Sequence, residues 1–393
     1  MSESTTIRIA TVGVGGMGGA HLKHITANKK AKLVAVCDVD KARADDVAAK
    51  HGATAYYDHR EMFKKEKLDA VTIATPHYDH PGIAMDAFTH GLHVLSEKPI
   101  GVYVKAARKA VEAHEAAKAK YPGLVYAIMF QERTYLHYRK MKAMIQAGEL
   151  GRLMRTTWIA TDWFRTQWYY DHGDWRATWK GEGGGVLLNQ CPHTLDMFQW
   201  LVGVPSKVTG HVSLGKYHDI EVEDEATAFF EYDNGMIGHF TAITAESPGI
   251  NRLEIVGENG RLVLDGKALT FHRNSVSGLK HLREAASSFE RAPFVTETVD
   301  YDDGQPTGHH VVVDKFLDAI LDGTPLIAEA KEGLNSLAMS NAIMLSSFTG
   351  TKVSVPPDED AFKAELDKRI ATSKFRKHAA TAAAIDFDAS WKK

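Results

Sequence analysis

Ile7-Arg-Ile-Ala-Thr-Val12 runs straight into Gly13-Val-Gly15-Gly-Met-Gly18, and this junction decides the fold. The first six residues read as a short strand rich in β-branched side chains. The glycines permit a tight turn and let backbone approach a ligand, and Met17 to Asn28 continues with apolar residues at helical spacing. A strand that ends in G-x-G-x-x-G and opens a helix is a pyrophosphate seat: the helix N-terminus offers unpaired N–H donors and the positive end of its dipole. Gly13, Gly15, Gly16, Met17 and Gly18 are therefore candidate cofactor-binding residues.

Working outward, Lys32 to Cys37 reads as the second strand and ends at Asp38, twenty residues past Gly18. A carboxylate there accepts hydrogen bonds from an adenosine ribose and repels a 2′-phosphate, so NAD is expected over NADP. Lys41 and Arg43 lie close enough to soften that preference. Lys41 to His51 is charged, Ala-rich and helical. Asp69-Ala-Val-Thr-Ile-Ala-Thr75 is nearly all apolar, the mark of a strand buried in a parallel sheet. Ligands bind outside the carboxyl ends of such strands, which makes Thr75 and Pro76 candidate cofactor contacts, with His80 in the same loop. Pro81 to Thr89 reads as a helix stopped at Gly91, Leu92 to Leu95 as a strand, and Val102 to Lys120 as a helix stopped before Pro122-Gly123. This alternation predicts an α/β doubly wound parallel sheet over residues 1–123.

After Tyr121 the pattern changes. Leu124 to Phe130 reads as a strand and Tyr135 to Ala147 as a helix. β-rich runs follow at Leu153–Thr161, Lys207–Val212, Ala226–Tyr232, Met236–Thr244, Arg252–Val256 and Arg261–Leu264, with turns at Asp233-Asn234-Gly235 and Glu258-Asn259-Gly260. Such turns imply hairpins and an antiparallel sheet. Val311 to Leu321 and Gly333 to Ser347 read as late helices. Residues 124–356 thus form a second α/β domain, and 357–393 a charged, Ala-rich tail. At 393 residues and 44% hydrophobic content the chain can bury a full core. A net charge of −3 leaves no basic excess to hold a phosphate backbone, so no nucleic-acid partner is expected. Cys37 and Cys191 are the only cysteines, which fits a reducing compartment. No signal-like leader and no apolar run of ~18 residues is visible. A cytoplasmic protein with no membrane partner is expected. The twenty histidines show neither zinc-site spacing nor H-E-x-x-H, so no metal is expected.

Two distant segments carry chemistry. One is Ser96-Glu97-Lys98-Pro99. The other is Gly181-Glu-Gly-Gly-Gly-Val-Leu-Leu-Asn-Gln-Cys-Pro-His-Thr-Leu-Asp196. With the Gly13–Gly18 turn and Asp38, they resemble the glucose–fructose oxidoreductase/inositol dehydrogenase/rhizopine-catabolism (Gfo/Idh/MocA) family. The likeness runs from about Ile7 to Pro356. It implies an N-terminal Rossmann domain and a C-terminal α/β domain whose open, mostly antiparallel sheet often mediates self-association, hence a homo-oligomer, dimer or tetramer. It also implies hydride exchange between a nicotinamide and a carbon of a sugar, sugar derivative or cyclitol, and a cis Lys98–Pro99 bond.

Alcohol oxidation removes a hydroxyl proton as hydride leaves the carbon, and histidine suits that task near neutral pH. His193 is the candidate base. Lys98 is the candidate catalytic cation beside the reacting oxygen, where its charge stabilises a developing alkoxide. Glu97 is expected to anchor the cofactor ribose or the local backbone. Relatives resembling inositol dehydrogenase place an aspartate four residues before the histidine. Asn189 stands there instead, so no carboxylate–histidine dyad exists at that spacing, and Asp196 is the carboxylate left nearby to orient the ring. Five of the seven tryptophans fall between Trp158 and Trp179, interleaved with arginines. Aromatic faces with polar edges suit sugars, and arginines hold carboxylate or phosphate. Trp163, Arg165, Tyr169, Trp175, Arg176 and Asn189 are therefore candidate contacts to a carbohydrate substrate, one that carries an acidic substituent if the arginines are used. The resemblance also allows an NAD-dependent glycosidase working by transient oxidation, elimination, water addition and re-reduction. A non-catalytic NAD-binding subunit is disfavoured, because Lys98 and His193 are both retained.

Overall fold

The computed structural model describes residues 6–173 and 175–376. Its N-terminal half alternates β1 (Ile7–Val12), α1 (Gly16–Ala27), β2 (Ala31–Cys37), α2 (Lys41–His51), β3 (Thr54–Tyr56), α3 (His59–Lys65), β4 (Ala70–Ile73), α4 (His80–Thr89), β5 (His93–Ser96), α5 (Val104–Ala117) and β6 (Tyr126–Ile128). The six strands form one parallel sheet in the order β3-β2-β1-β4-β5-β6. That order reverses between β1 and β4, and the crevice at such a switch point is where a dinucleotide sits. β4 is buried along its whole length, as its apolar run requires. α5 turns Val104, Ala107, Ala110 and His114 inward at helical spacing.

The sheet continues past residue 123, where the sequence places the domain boundary: β6 pairs in parallel with β5. A helix from far downstream, His309–Asp322, also returns to pack against α1. The N-terminal domain therefore borrows chain from the second. β3 and α3 escape the sequence reading because they span only three and seven residues.

Between β6 and that returning helix come α6 (Leu136–Gln146), β7 (Leu153–Ala160), α7 (Gln167–Asp171), α8 (Pro192–Val202) and β8 (Lys207–Leu214). Then follow β9 (Glu223–Glu231), β10 (Ile237–Ile243), β11 (Asn251–Gly257), β12 (Gly260–Asp265), β13 (Ala268–Asn274), α9 (Gly278–Glu284) and β14 (Phe294–Thr298). The chain closes with α10 (His309–Asp322), α11 (Gly333–Thr349), β15 (Val353–Ser354) and α12 (Glu359–Thr372). The second sheet has nine strands in the order β14-β13-β12-β11-β7-β10-β9-β8-β15. All its pairings are antiparallel except β10 with β7. Burial alternates along β9 and β11, so one face is packed and the other is open. α8 and α11 cover the packed face. Gly210 lets α11 approach, since a Cβ there would stand 2.6 Å from the Ile343 carbonyl oxygen. Within the expected tail, residues 359–372 form α12, capped by the Asp358 carboxylate. Residues 377–393 of that tail, and Met1 to Thr5, lie outside the described residues.

A buried ion pair joins the layers. Arg133 follows β6, and its Nε and Nη2 donate to both oxygens of Asp196 on α8, at 2.8 and 2.7 Å. Its Nη1 donates to Glu332, just before α11, at 2.6 Å. Gln199 adds a hydrogen bond to Asp196 at 2.9 Å. Burial pushes the Asp196 carboxyl above its ordinary range, and Arg133 and Gln199 pull against that. Removing one partner of such a pair strands the other charge. Arg133→Met is expected to lose about 3–5 kcal/mol of stability, read by urea unfolding, whereas an exposed control such as Lys50→Met changes it by under about 1 kcal/mol.

Candidate active site

The Gly-rich turn fits its purpose closely. Gly13 has φ +81°, and a Cβ on it would stand 2.6 Å from the Ala74 carbonyl oxygen. Gly18 lies behind the turn, where a Cβ would stand 1.9 Å from the Gly13 oxygen. It therefore lets helix and turn pack closely. Gly15 faces space: a Cβ on it would meet only Arg43, at 3.9 Å. No side chain caps α1, so its first N–H groups remain available to an anion. The Asp38 carboxylate accepts from Val14 N at 3.0 Å and from Asp40 N at 3.0 Å. Arg43 Nη1 lies 3.3 Å from Asp38, and Nη2 lies 3.1 Å from Asp40. Arg43, in the cavity wall beside Asp38, is thus held by two carboxylates.

A cavity of about 1240 Å³ opens beside this turn and is walled by both domains. Gly13, Gly15, Gly16, Met17, Asp38, Thr75, Pro76, His80, Glu97 and Lys98 line one side. Trp163, Arg165, Tyr169, Trp175, Arg176, Asn189 and His193 line the other. Gly18 is the single expected cofactor residue outside the lining.

The two chemistry-bearing segments meet directly. Lys98 Nζ donates to the Asn189 carbonyl oxygen at 2.9 Å, four residues before His193. Burial lowers the Lys98 pKa, Glu97 opposes this, and Arg176 and Arg165 push it further down. Lys98–Pro99 is cis. Both ring nitrogens of His80 contact carbonyl oxygens at 2.8 Å, those of Pro99 and Thr75, so His80 ties this peptide to the end of β4. Glu97 accepts from His21 Nε2 at 2.7 Å and from the Lys98 N–H at 3.1 Å. Burial raises its pKa, but the hydrogen bond and charge of His21, with Lys98 and His309 behind, hold it at about 2. Glu97 thus bonds its own chain's backbone at the Lys98 N–H and the His21 ring.

His193 is buried in the first turn of α8. Asp196 does not orient it, because Arg133 and Gln199 occupy that carboxylate. Gln131 Nε2 lies 3.1 Å from His193 Nε2; with the amide as donor, the ring nitrogen accepts. Arg176 stacks on Trp175 and Tyr169, with its carbon 4.4 and 4.8 Å from the ring centroids. Arg165 stacks on Tyr169 and Trp163 at 5.2 and 5.6 Å. The sequence does not single out His77, Gln131, Glu182 or Gln190 as site residues. His77 and Gln190 line the cavity, and only the three-dimensional fold brings Gln131 to His193. Among the described residues, no group of three or more His, Cys, Asp or Glu could hold a metal.

A dinucleotide crevice opening onto a half-buried lysine and a buried histidine defines an NAD-dependent oxidoreductase. Comparison with known proteins places it further. Residues 7–122 match the oxidoreductase family NAD-binding Rossmann fold, and residues 138–263 the GFO/IDH/MocA C-terminal domain. The chain belongs to the Gfo/Idh/MocA family. It is similar to the scyllo-inositol 2-dehydrogenase (NAD(+)) of Bacillus subtilis, 28% identical over 66% of this chain and 73% of the relative. It is similar to the D-glucoside 3-dehydrogenase of Escherichia coli, 24% identical over 89% of this chain and 98% of the relative. The WlbA dehydrogenase of Bordetella pertussis, solved with NADH and UDP-GlcNAcA, superposes with a TM-score of 0.75. That pair is 27% identical over 90% of this chain and 100% of the other. The protein is an NAD-dependent oxidoreductase that transfers a hydride between nicotinamide and a carbon of a sugar, sugar derivative or cyclitol.

Two measurements probe this geometry. Asp38→Ala is expected to weaken NADH binding about tenfold or more and to narrow the gap to NADPH, read by cofactor fluorescence titration. Glu223 is fully buried beneath the glycine run, and its Oε1 accepts from Leu187 N at 3.1 Å. Burial raises its pKa to about 7, against the pull of backbone N–H groups. A raised carboxyl favours the protonated folded state, so stability falls as pH rises from the unfolded value near 4.5 through about 7. Glu223→Gln keeps the acceptor and removes that loss, so its thermal midpoint is expected to exceed wild type at pH 8 and to match it at pH 4.5.

Proposed function

We propose that Lys98 and His193 act together on one hydroxyl-bearing carbon of a carbohydrate held against the Trp163–Arg176 segment. The observation that carries this reading is the Lys98 Nζ bond to the Asn189 carbonyl, which brings the ammonium to the turn that leads into α8 and His193. Bound NAD supplies the hydride acceptor. His193 Nε2 takes the hydroxyl proton, the substrate oxygen replacing the Gln131 amide as its partner. The Lys98 ammonium, poorly hydrated in its pocket, stabilises the negative charge that builds on oxygen. Asn189 holds a neighbouring hydroxyl, and the aromatic rings of Trp163, Tyr169 and Trp175 cover the apolar faces of the sugar.

Arg165 and Arg176 favour a substrate with an acidic group, a carboxylate above all, since stacking presents their donor edges in fixed planes. The UDP-GlcNAcA bound by the WlbA dehydrogenase, an acidic sugar nucleotide, supports this choice. Redox-neutral glycoside cleavage is the second reading. It needs an extra proton-transfer group, and His77, against Trp175 at 5.1 Å in the same cavity, is placed for that role. We also assign a cytoplasmic location, supported by two buried free cysteines, and a homo-oligomer, dimer or tetramer, built on the open face of the nine-stranded sheet.

A panel of myo-inositol, methyl β-D-glucoside, D-glucuronate and UDP-glucuronate, with paired detection of NADH and released aglycone or nucleotide, tests the assignment. NADH accumulation supports net oxidation, strongest with the acidic members; leaving-group release without it supports cleavage. Lys98→Ala is expected to cut kcat by about 100- to 1000-fold with NADH affinity held within about threefold. Wild-type turnover in that variant refutes the role of Lys98.

A further inference from the structure

Position 189 lacks the carboxylate found there in relatives resembling inositol dehydrogenase, yet a carboxylate stands behind it. Glu182 is buried, 1% exposed, inside the glycine run, and it is not part of the cavity wall. Its Oε1 accepts from Asn189 Nδ2, and its Oε2 accepts from Ala177 N at 2.7 Å. Its own carbonyl oxygen lies 3.3 Å from His77 Nδ1. One residue therefore touches three segments that carry cavity-lining side chains.

Each contact has a consequence. Both Glu182 side-chain oxygens accept hydrogen bonds, and the Asn189 NH₂ is the group turned toward one of them. The Asn189 Oδ1 is then the atom left to accept from a hydroxyl in the cavity. Ala177 has φ +66° and is the one non-glycine residue with positive φ among the described residues. That conformation persists only where surroundings enforce it, and the Glu182 bond is made at its N–H. Arg176, which stacks on Trp175 and Tyr169, is the residue immediately before that turn.

We propose that Glu182 is a positioning residue: it supplies the buried carboxylate missing at position 189 and sets which atoms of Asn189 and Arg176 meet the substrate. The proposal deepens the dehydrogenase reading above and rests on it for its kinetic consequences. Glu182 acts on substrate recognition, through Asn189 and Arg176, and leaves the dinucleotide seat at Gly13–Gly18 alone.

The test compares NAD-loaded wild type with Glu182→Gln, Asn189→Asp and the double variant. D-Glucuronate, methyl β-D-glucoside and myo-inositol serve as probes. In Glu182→Gln the new NH₂ faces a donor at either Asn189 or Ala177, and KM is expected to rise about tenfold. Asn189→Asp sets two carboxylates against each other and is expected to lose as much. The double variant restores one carboxylate and one amide at the contact, and kcat/KM is expected to return to within about threefold of wild type. NADH affinity stays constant throughout. A Glu182→Gln enzyme with wild-type KM, or a double variant as poor as either single one, overturns the proposal. A crystal structure of NAD-bound Glu182→Gln decides it without turnover: a rotated Asn189 amide and displaced Arg176 support it, and both unmoved refute it. Wild type inert toward all three probes counts against the dehydrogenase reading, and the crystal structure then tests Glu182 separately.

Discussion

Arg133 fixes the segment after the parallel sheet against α8 and the start of α11. Its guanidinium leaves the end of the parallel sheet, grips Asp196 with two parallel bonds and reaches Glu332 at the start of α11. A carboxylate as deeply buried as Asp196 is costly without such a partner. The paired fork geometry also fixes orientation as well as distance. α8 is thereby set against the segment after β6, and with it His193 against Gln131. His193, on the helix so held, lines the cavity.

The dinucleotide half was legible almost residue by residue. Gly13, Gly15 and Asp38 could be read because a phosphate seat imposes strict local demands: positive φ, close backbone approach and a strand-end acid at a set distance. Lys98 and His193 could be paired only by resemblance, since no local rule joins residues 98 and 193. The structure supplies the link through a backbone carbonyl, which leaves no trace in side-chain identity. The fate of Asp196 was hidden for a related reason. Its spacing to His193 suggests a dyad, but a partner sixty-three positions upstream claims it. Glu182 and Gln131 were likewise silent. A glutamate between glycines reads as solvated, and only its burial against Ala177, Asn189 and His77 makes it structural.

Boundaries blurred for a different reason. The chain leaves the parallel sheet, builds the second layer and comes back as α10 to pack on α1. Sequence grammar tracks local periodicity, so it marks the change near residue 123, whereas the fold assigns β6 and α10 by packing. Very short elements such as β3 and β15 carry too few residues to show a period at all.

The lysine ammonium is anchored to main chain, and the amide on the same residue faces elsewhere. Position 189 therefore offers two separate groups: a peptide oxygen that anchors the lysine ammonium, and a side-chain amide that bonds Glu182 at the cavity wall. A change of that side chain between amide and acid leaves the backbone oxygen, and with it the lysine's anchor, in place. The anchor of the cation and the chemistry of the cavity wall are thereby carried by different atoms of one residue, so one can change without the other.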